Sequence, residues 1–423
     1  MKEITLKAPD SRPVTKNSSL IVDWSRQSVL GALDKLRGGQ IVLNDDVGSH
    51  RLGQATDLVA RVHVRQPDFY SRLVLGGSLG AADSFIGGGW TTDDLSTTLR
   101  IFARDVVRSE QMEYGWAKLR GLAERITHAL RRNTLKGSAR NIHAHYDLGN
   151  AFFKLFLDET MNYSAGIFER PTDTMKQASI AKMDRVCRKL ELGPSDHLLE
   201  IGTGWGGLAI HAASQYGCRV TTTTISAEQH KMAEARVQEA GLESRVRVLR
   251  QDYRGLSGHY DKLVSIEMIE AVGHRYLDTY FRQCGRLLKP DGLMLLQAIV
   301  TPEYRYEASR RSVDFIRRYI FPGSCLASVG RISESIGRVS DFSTIHIEDI
   351  GPHYAETLRR WGQSFFANID QIRALGFDER FLRTWEYYFC YCEAGFEERL
   401  VGDVQMLLGR PGNRRTSVLG AIV

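Results

Sequence analysis

The stretch that most constrains this chain runs from His197 to Leu208, HLLEIGTGWGGL. Leu198 to Ile201 is short and mostly apolar and reads as a buried parallel strand. Gly202, Gly204 and Gly206 then form a tight turn, and Gly207 to Tyr216 reads as a helix. Strand, Gly-rich turn and helix make the first unit of a Rossmann-like nucleotide site, where a Cβ would keep the backbone away from the ligand. The same spacing also occurs in an ordinary strand–helix turn, so the glycines alone leave both readings open.

The residues after the turn select the ligand. A dinucleotide site places an acid about 20 residues on, at the end of the second strand. Here the second strand, Arg219 to Thr224, runs into Ile225, Ser226, Ala227, Glu228 and Gln229, and the acid is Glu200, just before the glycines. With no pyrophosphate to cradle, this pattern suits S-adenosylmethionine better than NAD. The rest of the region alternates as α/β. Helices are expected at Thr174–Leu190 and Tyr276–Leu288, and strands at Val246–Arg250, Lys262–Ile266 and Leu293–Ile299. Ser226 reads as a helix cap, with Gln229 at the position a capping box uses. Tyr253 and Arg254, and the segment from Glu267 to Gly273, fall at the carboxyl rim of the sheet, where open α/β folds bind ligands.

A chain of 423 residues has room for two or three domains. No apolar run approaches the ~18–20 residues that cross a bilayer, and the N-terminus lacks an apolar segment of the signal-peptide type. The six cysteines are scattered with no pair of Cys-x-x-Cys units, so neither a metal site nor a disulfide framework is indicated, and the expected compartment is the reducing cytoplasm. The net charge of +6 is uneven: residues 100–140 hold ten Lys/Arg against four Asp/Glu. Such a segment can face nucleic acid, an anionic membrane or plain solvent. Within it, Trp116, Leu119, Leu122, Ile126 and Leu130 recur at helical spacing over 114–132, with Lys118, Arg125, Arg131 and Arg132 mostly off that stripe. A basic amphipathic helix of this kind lies in a membrane interface or packs between domains.

Before it, a helix at Gln27–Leu36, strands at Gln40–Asn44, His50–Gly53 and Ala60–Arg65, and a helix opening at Pro67 indicate a small α+β domain. No titratable constellation stands out there, which assigns it to binding or assembly, including a homodimer. His143 and His145 are spaced i, i+2 with no supporting Cys/His cluster, which fits a loop better than a metal site.

Taken together, residues 145–150 (HYDLGN), 199–207, 224–229, 270–273 (EAVG), 321–323 (FPG) and 387–396 (YYFCYCEAGF) resemble the cyclopropane fatty acid synthases. The resemblance covers roughly 140–410 and, more loosely, the N-terminal region. It implies an α/β fold, a Rossmann-like S-adenosylmethionine methyltransferase domain preceded by a small α+β domain. It also implies an enzyme that adds a methylene from S-adenosylmethionine across the cis double bond of an acyl chain in a membrane phospholipid. The expected domain boundaries are 1–112 for lipid binding or assembly, 113–140 for the basic helix and linker, 141–412 for catalysis and 413–423 for a tail.

By the same resemblance, Tyr163 and Ser164 lie over the methionine end of the cofactor. Glu200, Gly202, Thr203, Gly204, Trp205 and Gly206 form the turn beneath it. Thr224, Ile225, Ser226 and Gln229 contact the ribose, and Tyr253 and Arg254 the adenine side. A bound bicarbonate is implied as general base, held by the backbone of Ala165 and Ile299 and by the side chains of Glu270, Gln297 and Tyr354. Cys392 falls where the family has an active-site cysteine. The family often has Cys where this chain has Ala165, a contact the backbone can make. It often has His where this chain has Gln297, and glutamine can hydrogen-bond an anion but cannot titrate near neutral pH.

The chemistry fits the residues. An alkene is a weak nucleophile, methyl transfer leaves a carbocation, and aromatic faces stabilise a cation without bonding to it. Tyr163 and Tyr319 are the expected lining residues among Phe152, Phe153, Phe168, Phe315 and Phe321. Cys392 is expected as packing, since no covalent enzyme intermediate is needed. Three other readings compete: a methyl- or methylene-branching enzyme without ring closure, a methyltransferase of small soluble molecules, and a lipid-binding protein without catalysis. The lipid substrate calls for a peripheral encounter with the inner face of the cell membrane, through 100–140 and 304–319, and for no nucleic acid. Binding to vesicles of anionic phospholipid, measured by co-sedimentation, is expected to weaken as salt is raised; salt-independent binding would count against this encounter.

Overall fold

A computed structural model describes residues 20–108 and 148–414. The helix read over 114–132, the histidines at 143 and 145 and the end of the tail lie outside the described residues. Backbone contacts divide the chain into two units. The first joins the N-terminal region to residues 312–320 and 361–400, and the second takes the chain up to 311 together with 321–360 and from 401 onward.

In the first unit, the strands are β1 (Gln40–Asn44), β2 (Ser49–Gly53), β3 (Val59–Val64) and β4 (Trp90–Thr92), in the order β2-β1-β3-β4. β1 pairs antiparallel with β2 and parallel with β3. The first helix spans Leu20–Leu33, earlier than the 27–36 expected. Just after β1, Asp45 collects the side chains of Arg26 (2.7 Å) and Tyr70 (2.5 Å) and the N–H groups of Val47 and Gly48. Burial opposes the charge, but these donors hold the carboxyl down at about 2.

Residues 361–400, inside the 141–412 expected for catalysis, group by backbone contacts with the first unit. The reason is the helix Glu379–Glu397, whose apolar face is rich in aromatic rings. Tyr387 packs on Phe85 with ring centroids 5.6 Å apart, and the Arg383 guanidinium donates to the Phe85 carbonyl at 3.1 Å. Just beyond the helix, Glu398 accepts from Arg100 (2.9 Å) and Arg104 (2.8 Å) of the helix Leu95–Arg108. Buried area and ion pairing, not sequence position, decide where such a helix packs. The turn Ile316–Ile320 joins the same unit: Phe315 lies 4.7 Å from Tyr387 and 5.6 Å from Tyr391, and Tyr319 donates its hydroxyl to Asp83.

The second unit is built on seven strands: β5 (His197–Ile201), β6 (Arg219–Thr224), β7 (Val246–Arg250), β8 (Tyr260–Ile266), β9 (Leu288–Val300), β10 (Ser343–Asp349) and β11 (Gly402–Gly409). Their order is β10-β11-β9-β8-β5-β6-β7. β5 to β9 pair in parallel, while β11 runs antiparallel to both β9 and β10. The central strands read as apolar runs because both faces of a parallel sheet are covered. Leu198, Leu199, Leu263, Val264, Met294, Leu295, Leu296, Met406, Leu407 and Leu408 are all fully buried. From β5 the chain winds to β6 and β7 on one side and returns to β8 and β9 on the other. That switch opens a crevice at the carboxyl ends of the strands.

Leu295 sits at the centre of β9 between β8 and β11. Leu295→Ala is expected to cost about 2–5 kcal/mol, read as a lower urea midpoint of unfolding.

Candidate active site

The Gly-rich turn leaves β5 with Gly202, Gly204 and Gly206 all at positive φ, +106°, +52° and +83°. A Cβ at Gly206 would meet that of Ala233 at 3.3 Å, and one at Gly202 that of Met268 at 3.4 Å, whereas open space lies beside Gly204. The turn is therefore packed from behind and open in front, a cradle that fits S-adenosylmethionine. Trp205 is buried under it: its indole N–H donates to Asn150 Oδ1 at 2.6 Å, its ring lies 4.9 Å from that of Phe153, and its carbonyl accepts from Arg236 at 2.7 Å. The last residue of the HYDLGN stretch thus braces the turn.

The other expected cofactor residues line the same rim, largely through bonds to one another. Glu200 is buried and accepts from the Thr222 hydroxyl at 2.6 Å, and Thr222 is in turn 2.7 Å from Thr203 Oγ1. Burial pushes the Glu200 carboxyl up to about 8. Ser226 caps the helix Ala227–Glu239 by accepting from the Gln229 N–H at 3.3 Å. The reciprocal half of a capping box does not form: Gln229 Oε1 accepts from the Thr224 hydroxyl at 2.9 Å, and the Ser226 N–H donates to Thr224 Oγ1 at 3.1 Å. Ile225 is half-buried between them. Arg254 is fastened to Asp252 by two bonds, from Nε at 2.9 Å and Nη2 at 2.6 Å, beside the Tyr253 ring. Ser164 is buried and accepts from Lys182 Nζ at 2.8 Å. Tyr163 stands in an aromatic group with Phe153, Phe156 and Phe321, centroids 5.5, 6.1 and 6.4 Å away.

Around the next strand end the structure departs from expectation. The group at the focus is Glu267, directly after β8. Its Oε1 accepts from the Ala165 N–H (3.2 Å) and from Gln297 Nε2 (2.8 Å), and its Oε2 accepts from the Tyr354 hydroxyl (2.6 Å). Three of the five groups expected to hold bicarbonate thus hold a carboxylate of the chain itself. The other two pair with each other: Glu270 Oε1 accepts from the Ile299 N–H at 2.6 Å. Bicarbonate does not fit this donor set, because an oxyanion placed among these donors would face the Glu267 carboxylate directly.

Glu267 also adopts φ +48°, the left-handed region that costs a non-glycine residue ~1–2 kcal/mol. Strain of this kind persists only where surrounding bonds over-determine it, and here three donors do so. Gln297 Nε2 also donates to Asp403 Oδ2 at 2.9 Å. Its own oxygen accepts from Gln405 Nε2 (3.1 Å), and Gln405 Oε1 accepts from the buried Lys189 Nζ (2.7 Å), which also pairs with Glu348.

Burial pushes Glu267, Glu270 and Asp403 all upward, Glu270 to about 8. Glu267 has three donors against one each for Glu270 and Asp403, which favours its charged form over theirs. Glu270 Oε2 and Asp403 Oδ1 are buried without a hydrogen-bond partner among the described residues, which disfavours the charged form of each. Sequence reasoning placed Glu267 at the ligand-binding rim without giving it a role, and missed Asp403 and Lys182. An acid set directly after a parallel strand was the available signal for Glu267. Cys392 lies in the first unit on the helix Glu379–Glu397, and burial pushes its thiol well up. No catalytic partner of Cys392 is seen among the described residues of that unit.

A doubly wound sheet with a glycine cradle at its switch point is the frame of an S-adenosylmethionine-dependent methyltransferase. The chain belongs to the mycolic acid cyclopropane synthetase family, whose model matches residues 133–406. It is 36% identical over 368 residues to the tuberculostearic acid methyltransferase UfaA1 of Mycobacterium tuberculosis, covering 85% of this chain and 86% of that one. It is also 36% identical over 360 residues to the cyclopropane-fatty-acyl-phospholipid synthase of Escherichia coli, covering 82% and 86%. Among solved structures, the mycolic acid cyclopropane synthase CmaA1 complexed with SAH and CTAB matches with a TM-score of 0.60 and 32% identity, over 64% of this chain and 98% of that one. Among the described residues no helix is long and apolar enough to cross a membrane.

The raised carboxyls set a pH dependence of stability. Glu200 keeps in the fold a proton that it releases, unfolded, near 4.5, so its contribution is full below 4.5 and lost as pH rises through about 8. Glu200→Gln is expected to flatten the fall in melting temperature across that window relative to the parent chain.

Proposed function

We propose that this enzyme transfers a methylene from S-adenosylmethionine across the cis double bond of an unsaturated acyl chain in a membrane phospholipid, giving a cyclopropane fatty acyl phospholipid and S-adenosylhomocysteine. The observation that carries the reading is a buried, strained, triply hydrogen-bonded carboxylate tied by one short segment to an aromatic group. Tyr163 belongs to the aromatic group and Ala165, two residues on, donates to Glu267. Methyl transfer to oxygen or nitrogen needs no such dry oxyanion, whereas a carbocation on the acyl chain must be sheltered from water and then lose a proton.

When bound, S-adenosylmethionine supplies an electrophilic methyl. The Gly202–Gly206 turn gives it a close-fitting bed, and the segments at 224–229 and 253–254 wall the rim. The rings of Tyr163, Phe153 and Phe321 offer apolar, polarisable faces to a neighbouring cation and no nucleophile. The relatives named for cyclopropane synthesis support ring closure. Access to the lipid is by transient contact with an anionic membrane surface, through the basic 100–140 segment and the helix Glu303–Ser309, where Tyr304 is exposed.

One second reading is favoured by a specific observation. The relative named as a tuberculostearic acid methyltransferase is as similar as the cyclopropane synthase, and a methyl- or methylene-branched chain results if the cation is resolved without ring closure. Incubation with S-adenosylmethionine and vesicles of a cis-monounsaturated phospholipid, with proton NMR of the recovered lipid, separates them. High-field cyclopropyl signals are expected. Olefinic or branched-methyl signals with one added carbon would transfer the assignment to branching, and unmodified lipid with cofactor bound would overturn both.

A further inference from the structure

The resemblance led to a diffusible oxyanion as base, yet the structure closes its place with a side chain. We propose that Glu267 is the general base of the reaction, a built-in carboxylate acting where a bound anion was expected. The inference rests on the reading of the site given above and names the group that completes it.

Three independent features lead to Glu267. The first is its donor set. The Ala165 N–H, Gln297 Nε2 and Tyr354 hydroxyl come from three distant parts of the chain and all end on this one carboxylate. The second is its backbone. At φ +48° a glycine would be unstrained, so the chain accepts conformational cost to put a carboxyl there. The third is its surroundings. Glu270 Oε2 and Asp403 Oδ1 are buried without a hydrogen-bond partner among the described residues, and Lys182 reaches Ser164 and Asn162 rather than Glu267. Hence no salt bridge from the described residues quenches Glu267, and two neutral carboxyls leave it the local site of negative charge.

In the reaction the sulfonium C–S bond breaks as one olefinic carbon takes the methyl, leaving a positive charge on the other olefinic carbon. Glu267 takes a proton from the new methyl, and that C–H electron pair forms the bond that closes the ring. S-Adenosylhomocysteine departs, and the proton on Glu267 returns to solvent before the next turnover. Gln297 and Tyr354 are positioning residues in this scheme: they aim the carboxylate and temper its basicity.

The test uses the full-length enzyme, S-adenosylmethionine and cis-monounsaturated phospholipid vesicles, in buffer stripped of carbon dioxide and again with bicarbonate added. The parent enzyme is expected to turn over equally in both. Glu267→Gln is expected to lower ring formation by about 100-fold or more while S-adenosylhomocysteine still binds by calorimetry. Glu267→Gly removes the carboxyl and the backbone strain together. It is expected to be inactive in stripped buffer and to recover in part with bicarbonate or formate, which a merely structural role would not produce. Parent activity that depends on added bicarbonate, or unimpaired ring formation by Glu267→Gln, would overturn Glu267 as base and leave the lipid reading standing. A parent enzyme that binds cofactor but modifies no lipid in either buffer would overturn both.

Discussion

Keeping an ionised carboxylate out of water is the demand on which the second unit is organised. An unpaired buried charge costs far more than any single contact returns. Glu267 is tolerable because three donors reach it, while burial pushes Glu270 and Asp403 toward their neutral forms. The buried Lys182 contributes at longer range, and burial lowers its own affinity for a proton. The site thus settles into one arrangement of charge: a carboxylate, two neutral acids and a lysine anchored on Ser164. Losing a donor would unsettle the whole set, since the remaining acids compete for the same charge.

The sheet is what lets these groups meet. Glu267 comes directly after β8, Gln297 lies within β9 and Asp403 within β11, and hydrogen bonding places these three strands side by side. β11 enters against the direction of its neighbour, with Asp403 opposite Ile299 and Gln405 opposite Gln297. An antiparallel strand at this place brings residues from near the end of the chain to the carboxyl rim of a parallel sheet. The helix Gly351–Ala367 adds Tyr354 and the segment before Met175 adds Ala165. Groups more than two hundred residues apart in sequence converge because five backbone elements end at one edge.

Much of this was legible in the residues. The strands Gln40–Asn44, Arg219–Thr224 and Val246–Arg250 and the helix Gly207–Tyr216 form where glycine, cap and period indicate them. The glycine turn and Ser226 cap were equally plain, because they rest on local backbone needs. The position of Glu267 at the rim was legible too, but its role was not, because a non-glycine residue in the left-handed region carries no local signature and only the tertiary donors reveal why it is there. Asp403 and Gln405 were hidden for a related reason: β11 has polar side chains pointing into a buried network, which breaks the apolar pattern of a central strand. The return of residues 361–400 to the first unit is likewise decided by pairing with Phe85, Arg100 and Arg104.

The run from Lys189 through Gln405 and Gln297 to Glu267 has a direction built into it. An ammonium group can only donate. Gln405 must therefore turn its oxygen to Lys189 and its amide hydrogens to Gln297. Gln297 in turn must show its oxygen to Gln405 and its hydrogens to the two acids. Either amide, taken alone, could sit reversed at equal steric cost, and a reversed Gln297 would set a carbonyl against a carboxylate. One buried cation therefore acts as a polariser, writing the sense of every bond along the row and guaranteeing that the far end always offers hydrogen rather than oxygen.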